Sequence, residues 1–346
     1  MKSGFNCPVC AGTKWQSVEQ YKLIRNGAAK HSVWQQRLSN LFLLFRILTL
    51  YRPARFPLSQ YNLSDYCLRR RRVYFDIWHG PATFESICCS TCGFICYTPR
   101  PTADEIKAKY MFLEKHDPDD GHYEADPQKE QLERQRSEKV YETLAPHLSG
   151  DRVLDFGGGN GIILAAFQKR GLTCHLADFT DRQLPGIKKV ADSIDDLKGA
   201  YDCIILSHVL EHVAEPGELL SSLRNHLNDT GLLYVEVPVE IAGGVRLEVD
   251  PVTHINFFTD GSLKTILQTN GYKIVHAFRG KGSFGRHQKE VAYAVALKGR
   301  EKPAFEPQIT NALLRPGRID FIKQLWQILR KKWQNKSAKT AKLPHE

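Results

Sequence analysis

Residues 153–161 read Val-Leu-Asp-Phe-Gly-Gly-Gly-Asn-Gly. Two β-formers lead into Asp155. Glycines follow at Gly157, Gly159 and Gly161, with Gly158 between them, and then comes an apolar run from Ile162 to Phe167. The pattern predicts a strand, a tight turn and the start of a helix. Glycine has no Cβ and tolerates positive φ, so the backbone amides of such a turn can approach a ligand closely. A nucleotide-like cofactor in an α/β fold is the expectation.

The dinucleotide fingerprint G-x-G-x-x-G would need a third glycine three positions beyond Gly159. Ile162 stands there. The spacing is instead D-x-G-x-G-x-G, formed by Asp155, Gly157, Gly159 and Gly161. This resembles the first motif of the class I S-adenosylmethionine methyltransferases, in which a carboxylate precedes the glycines. The resemblance implies that Asp155 lies near the ammonium of the methionine moiety, directly or through a water. It also implies that the backbone of Phe156, Gly157, Gly158, Gly159 and Gly161 passes under the methionine and ribose. The chemistry agrees, because adenosylmethionine carries no pyrophosphate but does carry an ammonium and a sulfonium.

Downstream segments continue the resemblance. Leu172 to Ala177 leans toward strand and ends at Asp178, where an acid commonly accepts from both ribose hydroxyls. Phe179 is placed to pack on adenine. The other reading of Asp178 is an N-cap for a helix starting near Asp181. Tyr201 to Ser207 is an apolar strand, followed by His208-Val-Leu-Glu-His-Val213, a helix from Glu215 through Leu227, and a strand over Gly231 to Pro238. The order D-x-I-x-x-x-x-V-L-E-H-V-x-x-P, then G-x-L-x-V-x-V-P, is similar to the same family over residues 151 to 298. Alternating strands and helices predict a doubly wound, mostly parallel sheet covered on both faces. The resemblance implies the seven-stranded, Rossmann-like sheet of class I methyltransferases. Ligands of such sheets bind beyond the carboxyl ends of the strands, where Asp155, Asp178, Ser207 and His208 fall.

Methyl transfer needs orientation and, for a hydroxyl or carbon acid, a base. The candidates are His208, His212 and His254, with Glu211 beside them. A neutral imidazole suits base work near pH 7, although each histidine can equally be a loop anchor. His254 lies in Asp250-Pro-Val-Thr-His-Ile-Asn-Phe-Phe-Thr259. That stretch is similar to the H-x-x-x-F-[ST]-x-x-x-L pattern of relatives acting on sugars and other small acceptors. In zinc-containing sugar C-methyltransferases the corresponding histidine is the base, preceded by a glutamate. Here Thr253 takes the glutamate's place. No N/D-P-P-Y/F or Pro-Cys motif follows the fourth strand.

Cys7-Pro-Val-Cys10 and Cys89-Ser-Thr-Cys92 are two C-x-x-C pairs. Four such thiolates suit tetrahedral Zn²⁺ as a closed, structural set. Unmetallated thiols and a redox pair are the other readings. The run from Cys89 through Gly93, Phe94 and Pro99-Arg-Pro101 to Tyr110 resembles the N-terminal zinc module that precedes many of these methyltransferases.

Four segments are expected: a zinc-ribbon-like module at 1–110 with a basic apolar helical insertion at 28–75, a linker or flap at 111–127, the methyltransferase domain at 128–300, and a basic amphipathic tail at 301–346. In the insertion, Leu38, Leu41, Phe42, Phe45 and Leu48 share a helical face, with Arg52, Arg55 and Arg69–Arg72 as neighbours. In the tail, Ile322, Leu325, Trp326, Leu329 and Trp333 make an apolar stripe. Nine basic side chains from Arg315 to Lys342 face only Asp320 and Glu346, which is most of the formal net charge of +10. Both segments fit either peripheral contact with an anionic membrane or internal packing. The opening Met-Lys-Ser-Gly-Phe lacks the apolar core of a secretory signal, so a reducing cytoplasm is the expected setting, extended to the inner membrane surface if these segments bind lipid. At 346 residues, 42% hydrophobic and 25% charged, the composition is that of a globular chain.

The functional expectation is adenosylmethionine-dependent methylation of a small-molecule, glycan or lipid-linked acceptor, with structural zinc as the second cofactor. An RNA methyltransferase that grips nucleic acid through the zinc module, a nicotinamide-dependent (NAD) oxidoreductase and a non-catalytic binding module are the other readings. Aromatic-interleaved basic loops are not seen elsewhere in the chain, which favours small acceptors over nucleic acid. The oligomeric state has no signature in the sequence.

Overall fold

The computed structural model of the protein describes residues 5–22, 65–116, 127–181, 183–240, 251–284 and 287–303. The N-terminal part holds β1 (Trp15–Lys22), α1 (Asp65–Arg72), a π-turn at Val73–Ile77, β2 (Thr83–Cys89), β3 (Ile95–Thr98) and α2 (Ala103–His116). α3 (Pro127–Leu144) leads into β4 (Arg152–Phe156), α4 (Ala165–Gln168), β5 (Thr173–Ala177), β6 (Lys188–Ala191) and β7 (Tyr201–Ser207). Then follow α5 (Pro216–Asn225), β8 (Leu227–Pro238), β9 (Asn256–Phe257), α6 (Asp260–Thr269), β10 (Tyr272–Phe284) and β11 (His287–Lys298).

Seven strands form the main sheet in the order β10-β11-β8-β7-β4-β5-β6. β4 pairs in parallel with β5 and β7, β5 with β6, and β7 with β8. β11 is antiparallel to both β8 and β10, so the reversal is confined to that strand. This is the doubly wound, mostly parallel sheet of the class I methyltransferase fold. The chain leaves β4 to one side for β5 and β6, and returns on the other side for β7 and β8. The switch point therefore lies between the carboxyl ends of β4 and β7, the place where doubly wound sheets bind their ligands.

Three elements differ from the sequence expectation. The apolar run after Gly161 makes a 3₁₀ turn at Ile162–Leu164 and then one α-turn at Ala165–Gln168, not a long helix. Leu164 and Phe167 are wholly buried there, so packing holds the segment rather than helical length. β8 starts at Leu227, four residues before the expected Gly231. The stretch Gly280-Lys-Gly-Ser-Phe-Gly285 reads in the sequence as a glycine-rich turn between a strand ending at Phe278 and one starting at Val291, but it continues as strand through Phe284. A Cβ on Gly280 would stand 3.2 Å from Tyr293, and one on Gly282 would stand 2.8 Å from Val291. These glycines admit large cross-strand neighbours rather than bend the chain.

The N-terminal strands join a second sheet, β1-β2-β3-β9, whose last strand comes from the far end of the chain. Ile95 pairs with Phe257 and Cys96 with Asn256. The segment carrying His254 is thereby stitched to the N-terminal part. One hydrophobic core runs through both, with Cys7, Val9, Cys92 and Phe94 packed in the same cluster as Leu220 of α5 and Ile266 of α6. A capping box starts α6: Thr259 Oγ1 accepts from the Ser262 N–H at 3.0 Å, and Ser262 Oγ accepts from the Thr259 N–H at 2.8 Å.

Residues 28–64 of the expected insertion, 117–126 of the linker and 304–346 of the tail lie outside the described residues. Among the described residues, no helix is long and apolar enough to cross a membrane.

Candidate active site

Asp155, the penultimate residue of β4, is wholly buried, and neither carboxylate oxygen has a hydrogen-bond partner. Burial, and then the nearby Asp178 charge, push its pKa up to about 8, against the pull of Arg136. The glycine turn lies against it. Gly157, Gly159 and Gly161 take φ of 73°, 61° and 76°, conformations that other L-residues adopt only with strain. Gly158 is required for a different reason: a Cβ there would stand 1.8 Å from Asp155 Oδ2. Gly158→Ala is therefore expected to displace the carboxylate or the turn at a cost of about 1–3 kcal/mol, read as a lower midpoint in urea denaturation.

Asp178 does not cap a helix, because no helix starts between 179 and 187 among the described residues. Its Oδ2 accepts from the Gly159 N–H at 2.8 Å. Its Oδ1 accepts from the Thr180 N–H and hydroxyl, each at 2.9 Å. The strand-tip acid thus clamps the glycine turn in shape. Phe179 beside it is 46% exposed. Its ring lies 4.9 Å from that of Tyr110, on α2, so the N-terminal part reaches the segment that follows β5.

At the tip of β7, Ser207 Oγ accepts from Arg136 on α3. The same guanidinium holds Glu236 Oε1 at 2.8 Å and Glu133 Oε2 at 3.2 Å. His208 sits in the left-handed region at φ 58°. Its Nδ1 donates to Glu211 Oε1 at 3.1 Å and its Nε2 to Glu236 Oε1 at 3.0 Å. Burial opposes the charge on His208, but the two carboxylates outweigh it and lift its pKa to about 9. Glu236, though buried, is held down to about 2 by His208 and Arg136. Tyr234 donates to its other oxygen at 2.6 Å. An imidazolium with both N–H groups donated has no lone pair for a proton. His208 is thereby set apart from the other two candidate bases as the tie between two buried carboxylates.

His212 and His254 differ from it. His212 Nδ1 lies 2.6 Å from the Thr253 carbonyl oxygen. A carbonyl only accepts, so the proton sits on Nδ1 and the lone pair on Nε2. That Nε2 is 3.9 Å from Glu211 Oε1. Burial pushes the pKa of His212 down to about 3, which keeps the ring neutral. His254 pairs its Nδ1 with Glu240 Oε1 at 2.9 Å, and the two imidazole rings meet edge to face at 4.8 Å. Glu211 is buried, and its Oε2 has no hydrogen-bond partner. The two loops are pinned to each other. The Glu211 carbonyl accepts from the N–H groups of Ile255 and Asn256, and the Asn256 amide donates to the Leu210 and Val213 carbonyls at 2.7 Å each.

Sequence reasoning missed Arg136, Glu236, Glu240 and Tyr110, which come from segments distant in the chain. One signal for Glu236 was present: it is the single acid in the otherwise apolar run Leu232 to Pro238. A charge in a buried strand needs a partner.

The four candidate cysteine ligands also converge. Cys7 Sγ lies 3.6 Å from Cys92 Sγ, and Cys10 Sγ lies 3.6 Å from Cys89 Sγ. All four sulfurs fall within 4.8 Å of one another, and all are free thiols. Knuckle-like turns present them: the Ala11 N–H donates to the Cys7 carbonyl at 2.8 Å, and the Gly93 N–H to the Cys89 carbonyl at 2.9 Å. Thr269 of α6 donates to the Val9 carbonyl at 3.1 Å and docks the first turn on the main unit.

Residues 129–277 match the family described as a methyltransferase domain. No curated protein sequence matches the chain. Similar solved structures include the 1,6-didemethyltoxoflavin-N1-methyltransferase of Burkholderia thailandensis, with bound 1,6-didemethyltoxoflavin and S-adenosylhomocysteine. It is 18% identical with a TM-score of 0.47, over 60% of this chain and 96% of that one. Magnesium protoporphyrin IX methyltransferase of Synechocystis, with bound S-adenosylhomocysteine, is 20% identical with a TM-score of 0.38, over 49% and 83%. An S-adenosylmethionine-dependent methyltransferase of Mesorhizobium loti is 14% identical with a TM-score of 0.38, over 46% and 96%. The sheet order, the D-x-G-x-G-x-G turn at the switch point and the family match agree that residues 129–277 form a methyltransferase domain with the class I fold.

Proposed function

We propose that the enzyme methylates a small-molecule, glycan or lipid-linked acceptor seated on the His212–His254 side of the switch point. The observation that carries the reading is Asp155: a wholly buried carboxylate with no partner for either oxygen, behind bare glycine backbone. Such a group costs stability unless a ligand completes it. The ammonium of adenosylmethionine is the partner of matching charge. Phe156, Gly157, Gly158, Gly159 and Gly161 offer the backbone beneath the methionine and ribose, and Asp178 and Phe179 border the ribose and adenine. Ser207 closes the floor through Arg136. The cofactor, when bound, supplies an electrophilic methyl group on sulfur. The protein supplies in-line orientation and activation of the acceptor.

We assign that activation to the neighbourhood of His212 and His254. His254 has the arrangement of a working imidazole, with one nitrogen oriented by the Glu240 carboxylate. Its recess, at 8% exposure, suits a small acceptor or a protruding group better than a flat macromolecular surface. Labelled adenosylmethionine and candidate acceptors test the reading. Saturable binding of S-adenosylhomocysteine, with no protection by NAD against heating, is the expected result. Protection by NAD alone would favour the oxidoreductase.

The four cysteines fit zinc. Zn–S bonds of about 2.3 Å at tetrahedral angles put sulfurs about 3.8 Å apart, close to the 3.6 Å separations present. Held by Cys7, Cys10, Cys89 and Cys92, the ion would have a closed, structural set and would lock the N-terminal turns onto α5 and α6. Metal analysis is expected to find one zinc per chain that Cys89→Ser abolishes. Its chelation is expected to lower the thermal midpoint, because the site shares the main core.

The tail at 301–346 carries a separate proposal, from sequence alone, of peripheral contact with anionic membrane. Flotation with anionic liposomes tests it: full-length chain that stays unbound, or binding unchanged on removal of the tail, overturns it.

A further inference from the structure

We propose that Glu211, His212 and His254 form a second cation site, distinct from the four cysteines, that takes a divalent transition-metal ion and presents it to an oxygen atom of the acceptor. The three side chains bring ligand atoms within 4.8 Å of one another from two loops. Two imidazoles and a carboxylate form a donor set suited to first-row divalent ions, and three protein ligands leave positions open. The surroundings match what ligating histidines require. Such a histidine donates its second ring N–H to a carbonyl or carboxylate, which fixes its tautomer. His212 does this to the Thr253 carbonyl at 2.6 Å, and His254 does it to Glu240 at 2.9 Å. Both rings are thus set to offer Nε2.

Glu211 supplies the independent sign. It is 1% exposed, its Oε1 takes the His208 bond, and its Oε2 has no partner. A buried carboxylate oxygen left bare beside two oriented imidazoles is a ligand position. The other oxygen of the same carboxylate, Oε1, stands 3.9 Å from His212 Nε2, so the carboxylate and the ring already share one neighbourhood. The site is also braced, because the Glu211 and Thr253 backbones lie in loops tied by Asn256 and by Lys109, whose ammonium donates to the Val252 carbonyl at 3.1 Å. That ammonium adds positive charge nearby, which sets a limit on affinity but leaves the donor set intact.

The inference rests on the methyltransferase reading and specifies how the two histidines act. An acceptor hydroxyl on the open side of the ion loses its proton to water more readily than it would in bulk. Its oxygen then forms the new bond to the methyl group as the sulfur–methyl bond breaks, and the sulfonium charge is neutralised.

The test uses full-length protein stripped by chelation and reloaded with Co²⁺. Two equivalents are expected, one with a thiolate-to-cobalt charge-transfer band and one without. Glu211→Gln and His254→Ala are each expected to lose only the second equivalent while keeping the thiolate band and S-adenosylhomocysteine binding. A single equivalent in the unaltered protein, carrying the thiolate band, overturns the proposal. So does a second equivalent that survives in both variants. Should the variants fail to fold, Mn²⁺ and the unaltered protein decide. Mn²⁺ disfavours thiolates, so one bound equivalent is expected, and none bound rejects the site. Failure of the methyltransferase reading would show separately, as loss of S-adenosylhomocysteine binding by the unaltered protein.

Discussion

Asp155→Asn is expected to weaken S-adenosylhomocysteine binding by about 1–3 kcal/mol, roughly five- to 150-fold, at pH 8. The larger signature is in the pH dependence. Without ligand, Asp155 has its pKa raised to about 8 by burial and by Asp178, so at pH 7 it is mostly protonated. An ammonium beside it favours the carboxylate and expels that proton. Affinity should therefore rise about tenfold per pH unit up to about 8 and then level off. Calorimetry at pH 7 in buffers of different ionisation enthalpy should detect close to one proton released per ligand bound. In Asp155→Asn the slope and the released proton should both vanish. The stability of the ligand-free enzyme carries the opposite sign. A carboxyl with its folded pKa raised contributes stability fully below about pH 4, its unfolded value, and loses it as pH rises through 8. The thermal midpoint of the native protein should fall over that window relative to the Asn variant. Parallel profiles would mean that Asp155 is not the group that titrates.

His254→Ala is expected to lower turnover by about 10²- to 10⁴-fold, the range for loss of an acid–base or ligating imidazole. S-adenosylhomocysteine affinity should change little if, as proposed, His254 serves the acceptor and not the cofactor. Glu240→Gln should give an intermediate loss of about 10- to 100-fold, since it orients the ring without touching the acceptor. His208→Ala makes the contrast. It removes the shared partner of Glu211 and Glu236, both buried. Stability should fall by about 3–5 kcal/mol, the cost of stranding buried charge. The His208 pKa is raised to about 9, so its stabilisation is fully present below about pH 6.5 and is lost as pH climbs through 9. Urea melts at pH 6 and pH 9.5 distinguish the two histidines: a pH-sensitive stability defect for His208, and an activity defect with near-native stability for His254. A His208 variant of native stability would contradict the network.

The glycine turn at the end of β4 was legible because it is local in sequence. Asp155 and its glycines occupy seven consecutive residues, and each strand tip can be read from the apolar run before it. The histidine cluster was legible only as a set of candidates. Nothing in Ser-His-Val-Leu-Glu-His separates His208, whose two nitrogens serve carboxylates, from His212, which faces a carbonyl. The partners that decide this, Glu236 and Thr253, are 28 and 41 residues away from the histidines they hold. Arg136 reaches Glu236 across 100 residues. The turn misplaced at Gly280 has the same origin. A glycine that bends a chain and a glycine that admits a neighbouring Tyr or Val look alike until the opposite strand is known.

A crystal structure of the complex with S-adenosylhomocysteine tests the central claim most directly. The expected result is the ligand at the switch point between β4 and β7, its ammonium on the Asp155 carboxylate directly or through one water, and its ribose beside Asp178. A ligand bound elsewhere, or Asp155 still buried without a partner in the saturated complex, would contradict it.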